Sequence, residues 1–112
     1  MNKILYILLF FTVLAFSETI EEEVINSVDC LILEDENSII CKYRHERIDE
    51  DKEIKVQWIN PLGEISRERV LIIPAGHGSI YDFRYISGRL KGIWQFIVTD
   101  KEIKLDTNFE IK

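Results

Sequence analysis

Residues 74–79 read PAGHGS and run directly into IYDFRY. A histidine between glycines, a serine two positions on and an aspartate at position 82 are the residue types of an acyl-transfer triad. His77 would be the base, Ser79 the nucleophile and Asp82 the orienting acid. A triad works only when its three side chains converge on one point, usually from separate elements. His77 and Ser79 lie two apart, so in an extended chain they point the same way without meeting. Asp82, at odd spacing from both, points to the opposite face of the same strand. A second reading needs no chemistry: Pro74 ends a strand, Gly76 and Gly78 allow a sharp bend, and Ser79 opens the next strand. The segment is therefore expected to be a bend that carries His77 at a loop tip as a candidate binding residue. No catalytic residue is assigned.

The charges offer a second candidate. Between Glu64 and Lys91 lie Arg67, Arg69, Arg84, Arg89 and Lys91 against Glu64, Glu68 and Asp82, in a chain of formal net charge −6. These cations could form a docking face for an acidic partner or an anionic envelope polymer, or be the solvent-facing alternates of ordinary strands. Arg67 and Arg69 share one face, as do Arg89 and Lys91 if that segment is extended. The acidic runs Glu34, Asp35, Glu36 and Asp49, Glu50, Asp51 read as solvated turns. Calcium needs six or more converging oxygens, and no D-x-D-x-D-G loop is present. No Asp–Glu pair is singled out for glycoside cleavage. With only His45 and His77, and no CxxC or HxxxH spacing, neither a metal site nor a cofactor is expected. The acidic balance, without a basic stripe interleaved with aromatics, argues against nucleic acid.

The chain opens MNKILYILLFFTVLAFSETIEEE. Lys3 precedes an apolar run from Ile4 to Phe16, and AFS places Ala15 and Ser17 at small-residue positions before an acidic stretch, the layout of a secretory signal peptide over 1–17. The run is shorter than the roughly 20 residues that span a bilayer, so no stable membrane span is expected after cleavage. The absence of a cysteine at the cleavage point argues against a lipid anchor. Residues 18–112 are then a single small domain, made still more acidic by loss of Lys3. Export implies a periplasmic or secreted address and an oxidising compartment, in which Cys30 and Cys41 are expected to form a disulfide.

Apolar residues in 18–112 recur with period two, and no i, i+3, i+4, i+7 run is evident, so strands are expected throughout. VDCLILE and SIICKYR flank a turn at Asp35, Glu36 and Asn37. A hairpin centred there sets Val28 against Tyr43, Cys30 against Cys41 and Ile32 against Ile39 on one face, whereas a one-residue slip would separate the cysteines. EIKVQWI follows with Ile54, Val56 and Trp58 on one face, turns at NPLG, and returns as ISRERVLII up to Pro74. SIYDFRYI alternates Tyr81, Phe83 and Tyr85 against Asp82 and Arg84. IWQFIVTD and IKLDTNFEIK form a last hairpin, with Ile103, Leu105, Thr107, Phe109 and Ile111 inward. The expected fold is all-β, a two-sheet antiparallel sandwich of about seven strands.

Trp58, the WINPLG that contains it, GIWQFIVTD and TNFEIK together resemble a bacterial immunoglobulin-like module. Gly92, Trp94, Phe96 and Val98 match the sixth strand of many such domains. The chain departs from antibody-type domains in carrying Phe96 where they bridge the second and sixth strands, and Trp94 lacks the hydroxyl of a tyrosine corner. The resemblance implies an immunoglobulin-like fold and an interaction role, and it transfers no catalytic residue. The expected function is an exported, non-catalytic binding or accessory module of the bacterial envelope that engages a protein or envelope component. The contact would be an edge strand or the arginine-bearing face. A small secreted hydrolase using the His77 loop, or a secreted enzyme inhibitor, is the alternative.

Overall fold

The computed structural model describes residues 26–112. The expected leader over 1–17, and the acidic stretch behind it, lie outside the described residues. Seven strands follow one another in chain order: β1 (Ser27–Leu33), β2 (Ser38–Arg44), β3 (Lys52–Ile59), β4 (Ile65–Ile73), β5 (Ser79–Tyr85), β6 (Gly92–Asp100) and β7 (Ile103–Ile111). They form two antiparallel sheets, one of three strands ordered β1-β2-β5 and one of four ordered β4-β3-β6-β7. The architecture is an all-β sandwich. Among the described residues no helix is long and apolar enough to cross a membrane.

The first hairpin has the register that the cysteines and the apolar pattern require: Val28 opposite Tyr43, Cys30 opposite Cys41 and Ile32 opposite Ile39. Its turn is a single 3-10 turn, Glu34–Glu36, closed by Asn37 in the left-handed conformation at φ 53°. Asparagine tolerates that region better than most residues, and here its Oδ1 accepts from the distant Ser87 amide at 2.8 Å, tying the turn to the end of β5. Cys30 and Cys41 form a disulfide. By loop-closure entropy, a bridge spanning so short a loop contributes on the order of 2–3 kcal/mol.

Alternation then places Ile39, Cys41 and Tyr43 of β2, Ile54, Val56 and Trp58 of β3, and Trp94, Phe96 and Val98 of β6 in one buried core between the sheets. Trp58 is fully buried, with Phe96 and Phe109 edge-on to it at ring-centroid separations of 5.1 and 5.9 Å. β7 keeps the expected parity, but only Phe109 and Ile111 are buried, and Ile103 at the tip of the hairpin is exposed. NPLG closes through the Gly63 amide to the Asn60 carbonyl at 2.9 Å. Gly92 opens β6 at φ 129°, where a Cβ would stand 3.0 Å from Pro61 Cγ.

The two open sides of the sandwich differ. β1 approaches β7 on one side. On the other, charged side chains link β4 to β5: Arg67 and Arg69 reach Asp82, and Arg84 reaches Ser66.

Candidate functional site

PAGHGS is a bend. The His77 amide donates to the Pro74 carbonyl at 3.1 Å, around Gly76 at φ 84°. That glycine takes the third position of the turn, where a positive φ is needed. The Gly76 amide bonds the Ile48 carbonyl, and the Ala75 amide bonds Asp51 Oδ1, so the bend is pinned to the loop after β2. His77 is exposed at its tip. Asp82 is turned to the core and accepts from Trp58 Nε1 at 2.8 Å and Arg69 Nη1 at 2.7 Å. Neither His77 nor Ser79 bonds it, so these three residues do not come together.

The arginines are brought together, but not as a solvent-facing set. Arg67 and Arg69 lie opposite Trp58 and Val56 in the β3–β4 ladder and therefore share the inward face of β4. Both guanidiniums reach across to Asp82 of β5, Arg69 at 2.7 Å and Arg67 at 3.6 Å. Arg84 is only 7% exposed. Its guanidinium carbon lies 5.3 Å from the Trp58 ring centroid and 6.0 Å from that of Trp94, a cation–π arrangement. Nη1 donates to Ser66 Oγ at 3.0 Å. Ser66 is the extra residue of a bulge, since Trp58 pairs Arg67 and Ile59 pairs Ile65; bulges commonly re-aim a side chain in this way. Burial, then the nearby charges of Arg89 and Arg67, push the Arg84 pKa down to about 10, so it remains a cation at neutral pH. Arg89 is half-buried and donates from Nε to the Tyr85 carbonyl at 3.2 Å, while Lys91 is exposed. The expectation of Arg84 as a surface contact is corrected. It belongs to the core because Trp58 and Trp94 present ring faces there and Ser66 Oγ accepts from its Nη1.

A second polar cluster has no local motif in the sequence. Asp100 Oδ2 is buried and accepts from Tyr43 Oη at 2.7 Å and from Lys52 Nζ at 3.0 Å, and Lys52 also stands 3.5 Å from His45 Nδ1. Parity alone could have found it. His45 continues the inward series 39, 41, 43; Lys52 precedes 54, 56, 58; and Asp100 follows 94, 96, 98. Burial and the Asp100 carboxylate raise the Tyr43 pKa, so the phenol stays a donor. Lys52 Nζ stands beside His45 Nδ1, and His45 Nε2 is buried without a hydrogen-bond partner among the described residues. Burial, then Lys52, lowers the His45 pKa. The unfolded chain therefore binds a proton more readily than the folded one. Stability is fully present above about pH 6.5, the ordinary histidine value, and falls as pH drops through it. Urea unfolding from pH 7.5 to 5 should show this loss in the wild type and a shallower one in His45→Phe. Equal slopes would remove His45 from the account.

β5 also turns its aromatics outward. Tyr81, Phe83 and Tyr85 are 56%, 47% and 56% exposed, whereas Asp82 and Arg84 between them are 5% and 7%. The ladder sets Leu31, Ile40 and Phe83 in one apolar row across the outer face of the three-stranded sheet. Phe83 and Tyr85 meet edge to face at 5.4 Å, and Leu31 at the far side of the row is exposed. The outer edge of β5 is already occupied: Arg67 Nη1 donates to the Phe83 carbonyl and Arg89 Nε to that of Tyr85. A further strand added there would have to displace both guanidiniums.

Among the described residues, no group of three or more His, Cys, Asp or Glu is placed to hold a metal ion. No protein-family model matches the chain, and no curated protein matches it.

Proposed function

We propose that the chain is an exported, non-catalytic binding module with an immunoglobulin-like sandwich, whose contact surface is the outer face of β1, β2 and β5. It engages an apolar patch on a protein partner. The observation that carries this reading is the inversion of β5, which buries Asp82 and Arg84 and leaves Tyr81, Phe83 and Tyr85 half in water. Contiguous exposed apolar surface on a small domain marks interaction sites, and aromatics are enriched at the centres of protein interfaces. The row Leu31–Ile40–Phe83 has no hydrogen-bonding side chain, which suits a protein surface better than a sugar ring with hydroxyls to satisfy. Export is supported by the Cys30–Cys41 bridge, since structural disulfides persist in oxidising compartments.

Photo-crosslinkers at Leu31 and Phe83, with one at Lys55 on the four-stranded sheet as control, test this in the cells that make the protein. The expected result is one discrete protein adduct from positions 31 and 83 and none from 55. With the purified partner, Phe83→Ser should weaken binding at least about tenfold while changing unfolding free energy by no more than about 0.5 kcal/mol. An equal adduct from position 55, an adduct only with a second copy of the chain, or unchanged affinity in Phe83→Ser would each overturn the proposal.

A further inference from the structure

Beside the aromatic row, where β2 ends and β5 begins, a surface cavity of about 310 Å³ is lined by Lys42, Arg44, His45, Arg47, Gly78 and Ser79. The lining holds three cationic side chains and no carboxylate, in a chain of net charge −6. Its construction starts in the backbone. Lys42 and Arg44 occupy alternate positions of β2 and share a face, and Arg44 lies opposite Ser79 in the ladder. The His45 amide donates to the Gly78 carbonyl at 2.9 Å, which extends the pairing one step beyond the strand. Arg47 arrives from the following loop and lies against Gly78, where a Cβ would stand 3.2 Å from its Nε and 3.3 Å from its Cγ. Without a side chain at this position, the Arg47 guanidinium lies directly against the β5 entry.

Among the described residues, none of the three cations forms an ion pair. Ion pairs among the described residues are made by Lys52, Arg67 and Arg69. Asp29 lies opposite Lys42 in the ladder but forms no ion pair with it. The Lys42 ammonium instead stands 5.5 Å from the centroid of the Tyr81 ring. The His45 ring stacks on Tyr43 and turns Nδ1 to Lys52, so His45 serves as wall rather than as a fourth charge. Like charges gathered around one hollow repel each other, and an anion in the hollow reverses the sign of that interaction.

We infer that this cavity binds a phosphate-class oxyanion, as the free ion or as a phosphate monoester. A single guanidinium matches a planar carboxylate on its own. Three cations from separate positions, with the Ser79 hydroxyl beside them, fit a tetrahedral dianion that accepts through three or more oxygens. The site does not depend on the partner proposed for the aromatic face, and it can be tested with small anions alone.

Titration of the intact, oxidised protein with inorganic phosphate, methyl phosphate and acetate at pH 7, followed by amide NMR, is the decisive experiment. The expected result is saturable one-site binding of a phosphate, with the largest shifts at Lys42–Arg47 and Gly78–Ser79, weakening as sodium chloride is added. Arg44→Gln and Arg47→Gln should each weaken it at least about tenfold, with well-dispersed spectra showing the fold retained, and Lys104→Gln on β7 should leave it unchanged. The tighter binder of phosphate and methyl phosphate distinguishes the free ion from the ester. Non-saturating shifts spread over all basic residues, acetate binding as tightly as phosphate, or unchanged affinity in both arginine variants would overturn the assignment.

Discussion

The Arg84→Glu variant is expected to lose about 4 kcal/mol of stability, in the range seen when a buried charge is left without its partner. For a domain of this size that lowers the melting temperature by roughly 15–30 °C. Three effects act together. A carboxylate would sit against the negative ring faces of Trp58 and Trp94, where the guanidinium now lies at 5.3 and 6.0 Å. It would share the inward face of β5 with the carboxylate of Asp82 two residues away. It would also be buried in a position only 7% exposed, where its negative charge is poorly solvated. Arg84→Met separates charge from packing. It retains an apolar stem over the two indoles and removes a cation whose Nε already lacks a partner, so its loss should stay within about 1.5 kcal/mol. Thermal unfolding followed by circular dichroism reads both. A glutamate variant melting within a few degrees of wild type would mean that Arg84 faces solvent.

Asp82→Ala is expected to destabilise by about 2–4 kcal/mol. Its largest component is Trp58 Nε1, a fully buried donor left unsatisfied, at about 1–3 kcal/mol. The lost contacts to Arg69 and Arg67 add less, because those side chains are 48% and 34% exposed and can turn to water. Asp82→Asn isolates the two parts. Its amide oxygen can still accept from the indole, so the asparagine variant should recover most of the loss. Urea unfolding of the pair measures this, and a similar loss in both variants would place the stabilisation in charge rather than in the indole bond. Trp58→Phe removes the donor altogether. In that background the further cost of Asp82→Ala should fall, as double-mutant coupling between contacting residues requires.

β5 shows why part of the fold was legible and part was not. The strands, their turns and the Cys30–Cys41 register follow from local features: period two, an asparagine able to enter the left-handed region, and two cysteines that share a face in only one register. Read alone, SIYDFRYI offers two faces, one aromatic and one charged. Local hydrophobicity favours the aromatic face as the buried one, whereas the folded chain buries the other. What decides is the opposite sheet. Trp58 needs an acceptor for its indole, two tryptophan faces suit a guanidinium, and the inward arginines of β4 need an anion. None of these demands is written within β5.

The two candidate sites divide in the same way. His77 at a loop tip was readable from Pro74, Gly76 and Gly78, because turn chemistry is local. The cation-lined cavity joins Lys42, Arg44 and Arg47 to Gly78 and Ser79 only because β2 and β5 pair with Arg44 opposite Ser79. The amino-acid order by itself determined strand positions, the disulfide and the inward parity of β2, β3 and β6, since each rests on side-chain alternation or on residues close in sequence. The tertiary structure alone decided which face of β5 meets the core, which arginines are withdrawn from solvent and which cations share a cavity. Those outcomes depend on partners from the other sheet or from a distant loop, and a buried donor or charge takes whatever partner the assembled fold places beside it.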